Sequence, residues 1–559
     1  SSSIYFLIAI YFFLAFLAFG RLPFAFFQQD EWAIIGTYSY FDKANIGWFE
    51  RLFTYGQNTH TIPLSGLTSY FEYKLFGLNF SPYAYFSIAI HLLNSGLVFY
   101  LAFLFFKKKL PAFIAGLIFL VDSIPSQAIT WVATTTSTAG ATLLTLLSLI
   151  FLTKFLFHGR KKKLIVLSLI FLFLSLLFKE SSIFMFLFIP LFWFVFNNER
   201  NYKRTLRFFT AIAFVAGLYI FPRLVLIILN ASSFSPDGLT APTLPVLAYR
   251  IISFPFKVIS QSIIPHDFIY FFSDKLLLLS YPNFVQGGSP DIHISQTIGA
   301  DMITYIFTAI ILLICAWLYF FARKRKMFLH ANLIVTSIFF ISLSSLPFIF
   351  IPGNAGYFSV FDGRSLYLSG IFKSILLANI ILLIYHFFVK KKIIPILFIL
   401  LVLLTGFNVV NIRKSIEYET RQGEIRKSIL DQMQKIYPKL PEKTIIYTES
   451  DSSYYGLPID EKIMPFFSGF GQVVLVWYET RGQNFPACFF QDKYLYAIIE
   501  QDYKECEGRG YGYFRKLDSL KEAVRQYNID TNNIISFRYT SGEDKLEDIS
   551  IETRKKLVQ

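Results

Sequence analysis

Cysteine is scarce here: three in 559 residues. That excludes a disulfide-built framework and the paired Cys clusters of a structural zinc site. No HExxH and no CxxC occurs, and neither a Walker nor a Rossmann fingerprint is present. A zinc centre and a nucleotide fold are therefore set aside, and the expectation is no metal and no resident cofactor. Acidic residues are few, 37 against 52 Lys and Arg, for a formal net charge of +15. In a soluble chain that balance points to nucleic acid. No tetratricopeptide or other repeat is detectable in the polar C-terminal stretch.

What is abundant is apolar. The chain is 54% hydrophobic and 19% aromatic, with 67 Phe, and its mean hydropathy is +0.50. A soluble protein could not hide that much apolar surface. Runs near the roughly 20 residues that span a bilayer recur along the first 410 positions. Basic clusters punctuate them at Lys107–Lys109, Arg160–Lys163, Arg200–Arg207, Arg323–Lys326 and Lys390–Lys392. Threaded in order, all five fall on one side, and positive loops stay in the cytoplasm. Much of the positive excess is thus a topology signal, and no nucleic-acid partner is expected. Glu199 excepted, the acidic residues of the membrane half land on the opposite face.

Eleven transmembrane helices are predicted, at about 4–20, 82–106, 110–121, 136–157, 164–178, 183–196, 208–229, 302–321, 328–350, 366–389 and 393–410. The third, fifth and sixth are shorter than a full span. Residues 230–300 read as a Pro-, Ser- and Asp-bearing loop. The first outer loop, 21–80, carries apolar residues at helical spacing over Asn45–Tyr55 and Ile62–Phe76, which predicts two amphipathic helices along the interface.

The fold class expected is a polytopic α-helical membrane protein, residues 1–411, followed by an extracytoplasmic α/β domain, residues 412–559. In the latter, strands are predicted at Thr444–Thr448, Val473–Tyr478, Tyr494–Ile499 and Ile534–Tyr539. Helices are predicted at Ser415–Ile436 and Ser519–Tyr527. Cys315 reads as a core thiol. Cys488 and Cys506 would be free to pair if the domain is extracytoplasmic; pairing is left open. The chain opens Ser-Ser-Ser with no Met, read as a processing or cloning boundary.

Several polar residues sit at outer helix ends. Asp30-Glu31 follow the first helix closely; they are either an exposed acidic pair or a proton acceptor whose pKa mutual repulsion raises. Lys179-Glu180 ends the fifth helix against the charge bias, as an ion pair, a snorkelling Lys or an anion site. Arg364 starts the tenth helix and suits phosphate, or pairs with Asp362. His60 is a lone His between the two loop helices. His266 and His293 lie in the 230–300 loop. Carboxylates for proton removal and two cations for an anionic leaving group suit group transfer from a membrane-embedded phosphate ester.

Six motifs then occur in order: QQDEW, QNTHTIPLSGLTSYFEYKLFGLN, HLLNSGLVFYLAFLF, DSIPSQAITWVATTTS, LLFKESSIF and GRSLYLSG. Over residues 28–370 this set resembles the GT-C glycosyltransferases, most of all bacterial relatives of protein O-mannosyltransferases and of the TMTC mannosyltransferases. The resemblance implies a polyprenyl-phosphate sugar donor and metal-independent, inverting transfer. It implies Asp30 as general base and Glu31 as its support or as a contact to the sugar. It places His60 at the sugar or phosphate pocket, and Lys179, with its neighbour Glu180, and Arg364 at the donor phosphate; Tyr367 belongs to the Arg364 motif. Where relatives carry His-Pro, this chain has Asp122, either a second acidic group at the site or a helix cap. The missing repeat half leaves the acceptor open between an exported protein, which is favoured, and a lipid or cell-wall glycan. A non-catalytic transporter or scaffold for lipid-linked glycans is the competing class; its charges belong at midplane. The Phe, Ile and Lys usage points to a bacterial plasma membrane.

Overall fold

A computed structural model describes residues 2–28, 30–48, 50–51, 62–159, 161–197, 202–229, 243–280, 290–350, 361–388, 393–452, 462–466, 469–491, 494–495 and 501–558. It has two compact units. The first holds Ser1–Gly20, Phe53–Gly66 and Phe86–Arg413; the second holds Arg21–Leu52, Leu67–Tyr85 and Lys414–Gln559.

The first unit is helical. Each predicted span is a helix there, beginning with α1 (Ser2–Phe19). Among the described residues, eight helices are long and apolar enough to cross a membrane; Lys109–Leu120 and Glu180–Phe196 are apolar but shorter. Two helix hairpins turn on left-handed Lys residues, Lys107 at φ 55 and Lys326 at φ 58. Small residues set the closest packing. The helix Val132–Phe157 lies against Lys162–Phe178, where a Cβ on Gly140 would come 2.8 Å from the Phe178 ring. Hydroxyls bridge the same neighbourhood, Ser148 to Ser168 at 3.1 Å and Thr145 to Ser182 at 3.0 Å. In lipid, such close backbone approach and interhelical hydroxyl bonds replace the missing hydrophobic drive.

One sequence expectation fails here. The stretch read as a loop, 230–300, contains two helices, Leu244–Ile263 and His266–Ser280, and the start of a third, Pro290–Lys324. Polar residues at Arg250, Lys257 and Gln261 interrupt the apolar run and hid the first of these. All three are buried and partnered: Arg250 donates to the Ile349 carbonyl at 3.1 Å, and Lys257 pairs with Asp301 at 2.6 Å. Gln261 accepts from the Phe361 backbone N–H at 2.7 Å. A buried polar group is tolerated once it is hydrogen-bonded, which only tertiary neighbours supply. His293 lies in the third helix. Cys315 is buried and free, as expected.

In the second unit, α2 (Asp30–Lys43) was not anticipated within the outer loop. Its inward face, Trp32, Ile35, Tyr38 and Phe41, is buried. Trp32 meets Trp477 edge-on, ring centres 6.5 Å apart. The helix Pro63–Phe76 matches the second predicted loop helix. Of the first, Trp48, Glu50 and Arg51 are helical, and residues past 51 lie outside the described part. The predicted helix Ser415–Ile436 is the second half of one long helix, Ile393–Ile436, continuous with the last span.

The tail builds a five-stranded sheet in the order β2-β3-β1-β4-β5, from β1 (Lys443–Ser450), β2 (Asp502–Cys506), β3 (Arg509–Phe514), β4 (Ile534–Thr540) and β5 (Lys545–Asp548). β1 runs parallel to β3 and β4; β2 and β5 pair antiparallel at the edges. The first and last predicted strands are β1 and β4, and the helix expected at Ser519–Tyr527 spans Leu517–Tyr527. Val473–Tyr478, read as a strand, is helical within Phe470–Thr480. Its β-branched run is buried on every side, so no alternation existed to separate strand from buried helix. Tyr494 and Leu495 are helical and residues 496–500 lie outside the described part. β3 was missed because Gly510 and Gly512 weaken its strand signature; both leave room for the Tyr503 ring across the sheet.

Gly471 carries the helix Phe470–Thr480 onto β3. A Cβ there would collide with Tyr513, and the Gly471 carbonyl accepts from the Tyr511 hydroxyl at 2.6 Å. Gly471→Ala is expected to destabilise this packing by roughly 1–3 kcal/mol, read as faster hydrogen exchange in β3. Unchanged exchange would mean that Tyr513 yields without cost.

Candidate functional site

The sequence-derived residues fall on both units. Lys179, Glu180, Arg364, Asp122 and Tyr367 belong to the first, Asp30 and Glu31 to the second. His60 lies outside the described residues.

In the first unit, Lys179 and Arg364 come within electrostatic range of each other and of Asp362. Lys179 sits in extended backbone where Lys162–Phe178 gives way to the short 3-10 turn Glu180–Phe184. Its ammonium donates to Thr138 Oγ1 at 2.6 Å. Burial pulls its pKa down to about 8, with Glu180 opposing the fall and Arg364 adding to it. Glu180 faces Arg223 at 3.7 Å, and Arg223 donates to the Tyr219 hydroxyl at 2.8 Å.

Arg364 lies in the turn Gly363–Leu366. Its guanidinium stacks over Trp131, 4.3 Å from the ring centre. Its Nε pairs with Asp362 at 2.7 Å, so the competing Asp362 reading describes a contact that exists. Asp362 also caps the turn by accepting from the Arg364 backbone N–H at 3.3 Å. Gly363 lets this turn press on the 124–125 backbone, since a Cβ there would overlap the Ile124 carbonyl. His266 senses Asp362, and burial pulls its pKa down to about 4, so it is neutral at pH 7. Lys179 and Arg364 thus lie near Glu180 and Asp362, with Arg223 on Glu180 and Asp267 near His266. The Lys179 ammonium and the planar Arg364 donors suit a phosphate monoester or diester.

Asp122 and Tyr367 are held differently. Asp122 is buried and forms an ion pair with Lys373, a residue the sequence did not single out. It also accepts from the Ile124 backbone N–H at 3.3 Å, a bond within the turn between two helices and not a helix cap. The Tyr367 hydroxyl lies 2.8 Å from His91 Nδ1, whose Nε2 is 2.8 Å from the Leu120 carbonyl. A carbonyl only accepts, so Nε2 carries the hydrogen and Tyr367 donates to Nδ1. Asn94 donates back to the same hydroxyl at 3.2 Å. This network locks the helix that follows the Arg364 turn into the bundle.

In the second unit, Asp30 is the first residue of α2 and is exposed. Glu31 is 4% exposed, and its carboxylate accepts from the Gln28 backbone N–H at 3.3 Å. One acid of the pair therefore braces the helix start and the other is exposed. Nothing in the sequence distinguishes them, since both are acidic and adjacent. Trp131 lies inside the motif DSIPSQAITWVATTTS and Thr138 directly follows it, but only the structure gives them roles, beneath Arg364 and against Lys179.

No family model matches the chain, and no curated protein matches it. Two solved structures of ArnT from Cupriavidus metallidurans, in the apo state and bound to undecaprenyl phosphate, align over 97% of this chain and 93% of theirs. Identity is 12% in both, and the TM-scores are 0.38 and 0.37. Likeness at that level carries no argument about this chain's activity.

Proposed function

We propose that the chain is an integral-membrane glycosyltransferase of GT-C type, moving one sugar from a polyprenyl phosphate to a hydroxyl outside the cytoplasm. The observation that carries it is the Lys179–Arg364 cluster, two cations gathered around one site in the first unit. Asp30 takes the proton of the acceptor hydroxyl. The acceptor oxygen attacks the anomeric carbon from the face opposite phosphate, and the carbon–oxygen bond to phosphate breaks. The electron pair leaves with the phosphate, where Lys179 and Arg364 neutralise it. One displacement gives inversion. Phosphate is a competent leaving group, so charge neutralisation and alignment matter more than an acid, and no metal is called for. His60 keeps the role at the sugar or phosphate pocket that its motif implies, Glu180 holds Arg223, and Tyr367 anchors the Arg364 turn.

The orientation has two supports. Basic loops alternate with the acidic outer ends, and Cys488 is bonded to Cys506 in the tail. Disulfides persist in oxidising compartments, which favours a tail outside a bacterial plasma membrane. A protein hydroxyl is the first acceptor to test and a lipid or cell-wall glycan the second. Charges at outer helix ends speak against a transporter or scaffold.

Arg364→Ala and Lys179→Ala are each expected to weaken undecaprenyl-phosphate binding by about 10–100-fold, the worth of a charged hydrogen bond. Unchanged affinity in both variants would remove the phosphate site. A pH dependence follows from Lys179. Its folded pKa, about 8, lies below the unfolded 10.5. Phosphate affinity is therefore fullest below pH 8 and falls as pH rises through it, while the folding cost of this buried charge is relieved over the same rise, from pH 8 to 10.5. Lys179→Arg should move the loss of affinity to higher pH; an unmoved profile would assign it elsewhere.

A further inference from the structure

The second unit contains an open cleft of about 890 Å3 that none of the residues above explains. Four separate stretches wall it, residues 23–26, 73–81, 423–427 and 477–481. Its volume lies in the roughly 300–1,000 Å3 range of small-ligand sites. The close approach of its walls depends on Gly423, where a Cβ would stand 2.8 Å from the Phe26 backbone nitrogen.

The cleft is positive. Lys74, Lys427 and Arg481 line it, with Glu424 the one carboxylate among the lining residues. Lys74 pairs with Asp42 at 2.6 Å and is partly neutralised. Arg481 lies flat over Trp477, 3.8 Å from the ring centre, and its contact with Asp431 is a long 3.8 Å. Lys427 is exposed, and no ion pair to it exists among the described residues. Stacking orients the guanidinium before any ligand arrives, which lowers the ordering cost of binding. A cleft of one sign raises the local concentration of counter-charged ligand.

The remaining wall mixes apolar and polar groups. Phe24, 71% exposed, offers an open ring face beside Leu78 and Trp477, and Asn79 supplies an amide. The Ser81 and Thr480 hydroxyls donate to the Pro23 and Val476 carbonyls and present their oxygens as acceptors. A ring face, a few polar groups and two cations match a charged sugar. An extended peptide would use a free sheet edge, and the cleft is walled by helices and loops. The cleft also shares its wall with the start of α2. Phe26 lies 5.8 Å and Trp477 6.5 Å, ring to ring, from Trp32, two residues after Asp30.

We propose that this cleft is the acceptor site and that it takes an anionic saccharide, held by Arg481 and Lys427. The word acceptor rests on the transferase reading; the binding of an anionic saccharide does not.

The test uses the full chain in phosphatidylcholine nanodiscs, titrated with trigalacturonate, glucose 6-phosphate and neutral maltotriose. Either anionic sugar should bind, more weakly as salt rises, and maltotriose should not. Arg481→Gln and Lys427→Gln should each weaken binding about tenfold, with circular dichroism unchanged. Lys545→Gln, at an exposed cation of β5 outside the cleft, should leave binding intact. A phosphorylated glycolipid in the nanodisc that outcompetes free trigalacturonate would identify a membrane-tethered source; the reverse order would identify a free polymer. Equal binding of maltotriose overturns the proposal, as does full binding in the Arg481→Gln/Lys427→Gln double variant. So does an acidic peptide, or phosphatidylglycerol alone, binding more tightly than either anionic sugar. Saccharide binding without transfer to any acceptor would sink the transferase and keep the site. Transfer undiminished in both cleft variants would keep the transferase and overturn the cleft's assignment as its acceptor site.

Discussion

Asp30→Asn should abolish sugar transfer while leaving the chain folded. A positioned general base contributes about 10²–10⁴-fold, and the amide cannot take the acceptor proton at any working pH. The side chain is exposed at the first position of α2. Its charge at a helix N-terminus is worth about 0.3–1 kcal/mol of what folding loses. Glu31→Gln should behave differently. Its carboxylate is buried and braces the helix start through the Gln28 N–H, so the amide should cost stability first and rate second. The measurement is transfer from a radiolabelled polyprenyl-phosphate sugar, paired with thermal melting. Transfer that survives Asp30→Asn would take Asp30 out of the mechanism. A melt that collapses in Asp30→Asn would mean that its role is structural.

The second large effect concerns Asp122 and Lys373. Both side chains are 5% exposed and they face each other inside the first unit. Removing one partner of a buried pair leaves the other charge uncompensated, at a cost of roughly 3–5 kcal/mol. Asp122→Asn and Lys373→Met should each lower the melting temperature sharply. The double variant Asp122→Leu/Lys373→Met should recover most of the loss, because apolar residues of similar volume replace a buried pair at little cost. If Asp122 is a second acidic group of the site, Asp122→Asn should instead remove transfer with the melting temperature unmoved. The double variant would then be inactive and no more stable than either single one.

How much was legible depended on the kind of signal. Apolar runs long enough to span lipid were readable, because a span must satisfy its own backbone and show an apolar surface. The helix Leu244–Ile263 was not, since Arg250, Lys257 and Gln261 look like loop residues until their partners at 349, 301 and 361 are known. The run Val473–Tyr478 was misread for a related reason: burial on all sides erases the period that tells helix from strand. Lys179 and Arg364 stood out by charge at outer helix ends. Lys373 did not, because a lone Lys inside an apolar run carries no sign of the carboxylate that will meet it 251 positions away.

By itself the sequence determined a membrane-spanning helical chain with a mixed α/β tail, and a short set of charged residues suited to phosphate and proton transfer. Both rest on local physics: hydropathy over one span length, and the cost of placing charge near lipid. Tertiary structure decided which charges are neutralised, Asp122 by Lys373 and Lys257 by Asp301, and which gather as a cluster, Lys179 with Arg364. It also grouped the Asp30 helix with the tail and opened the basic cleft beside it. Those are encounters between residues tens to hundreds of positions apart, and only packing brings them about.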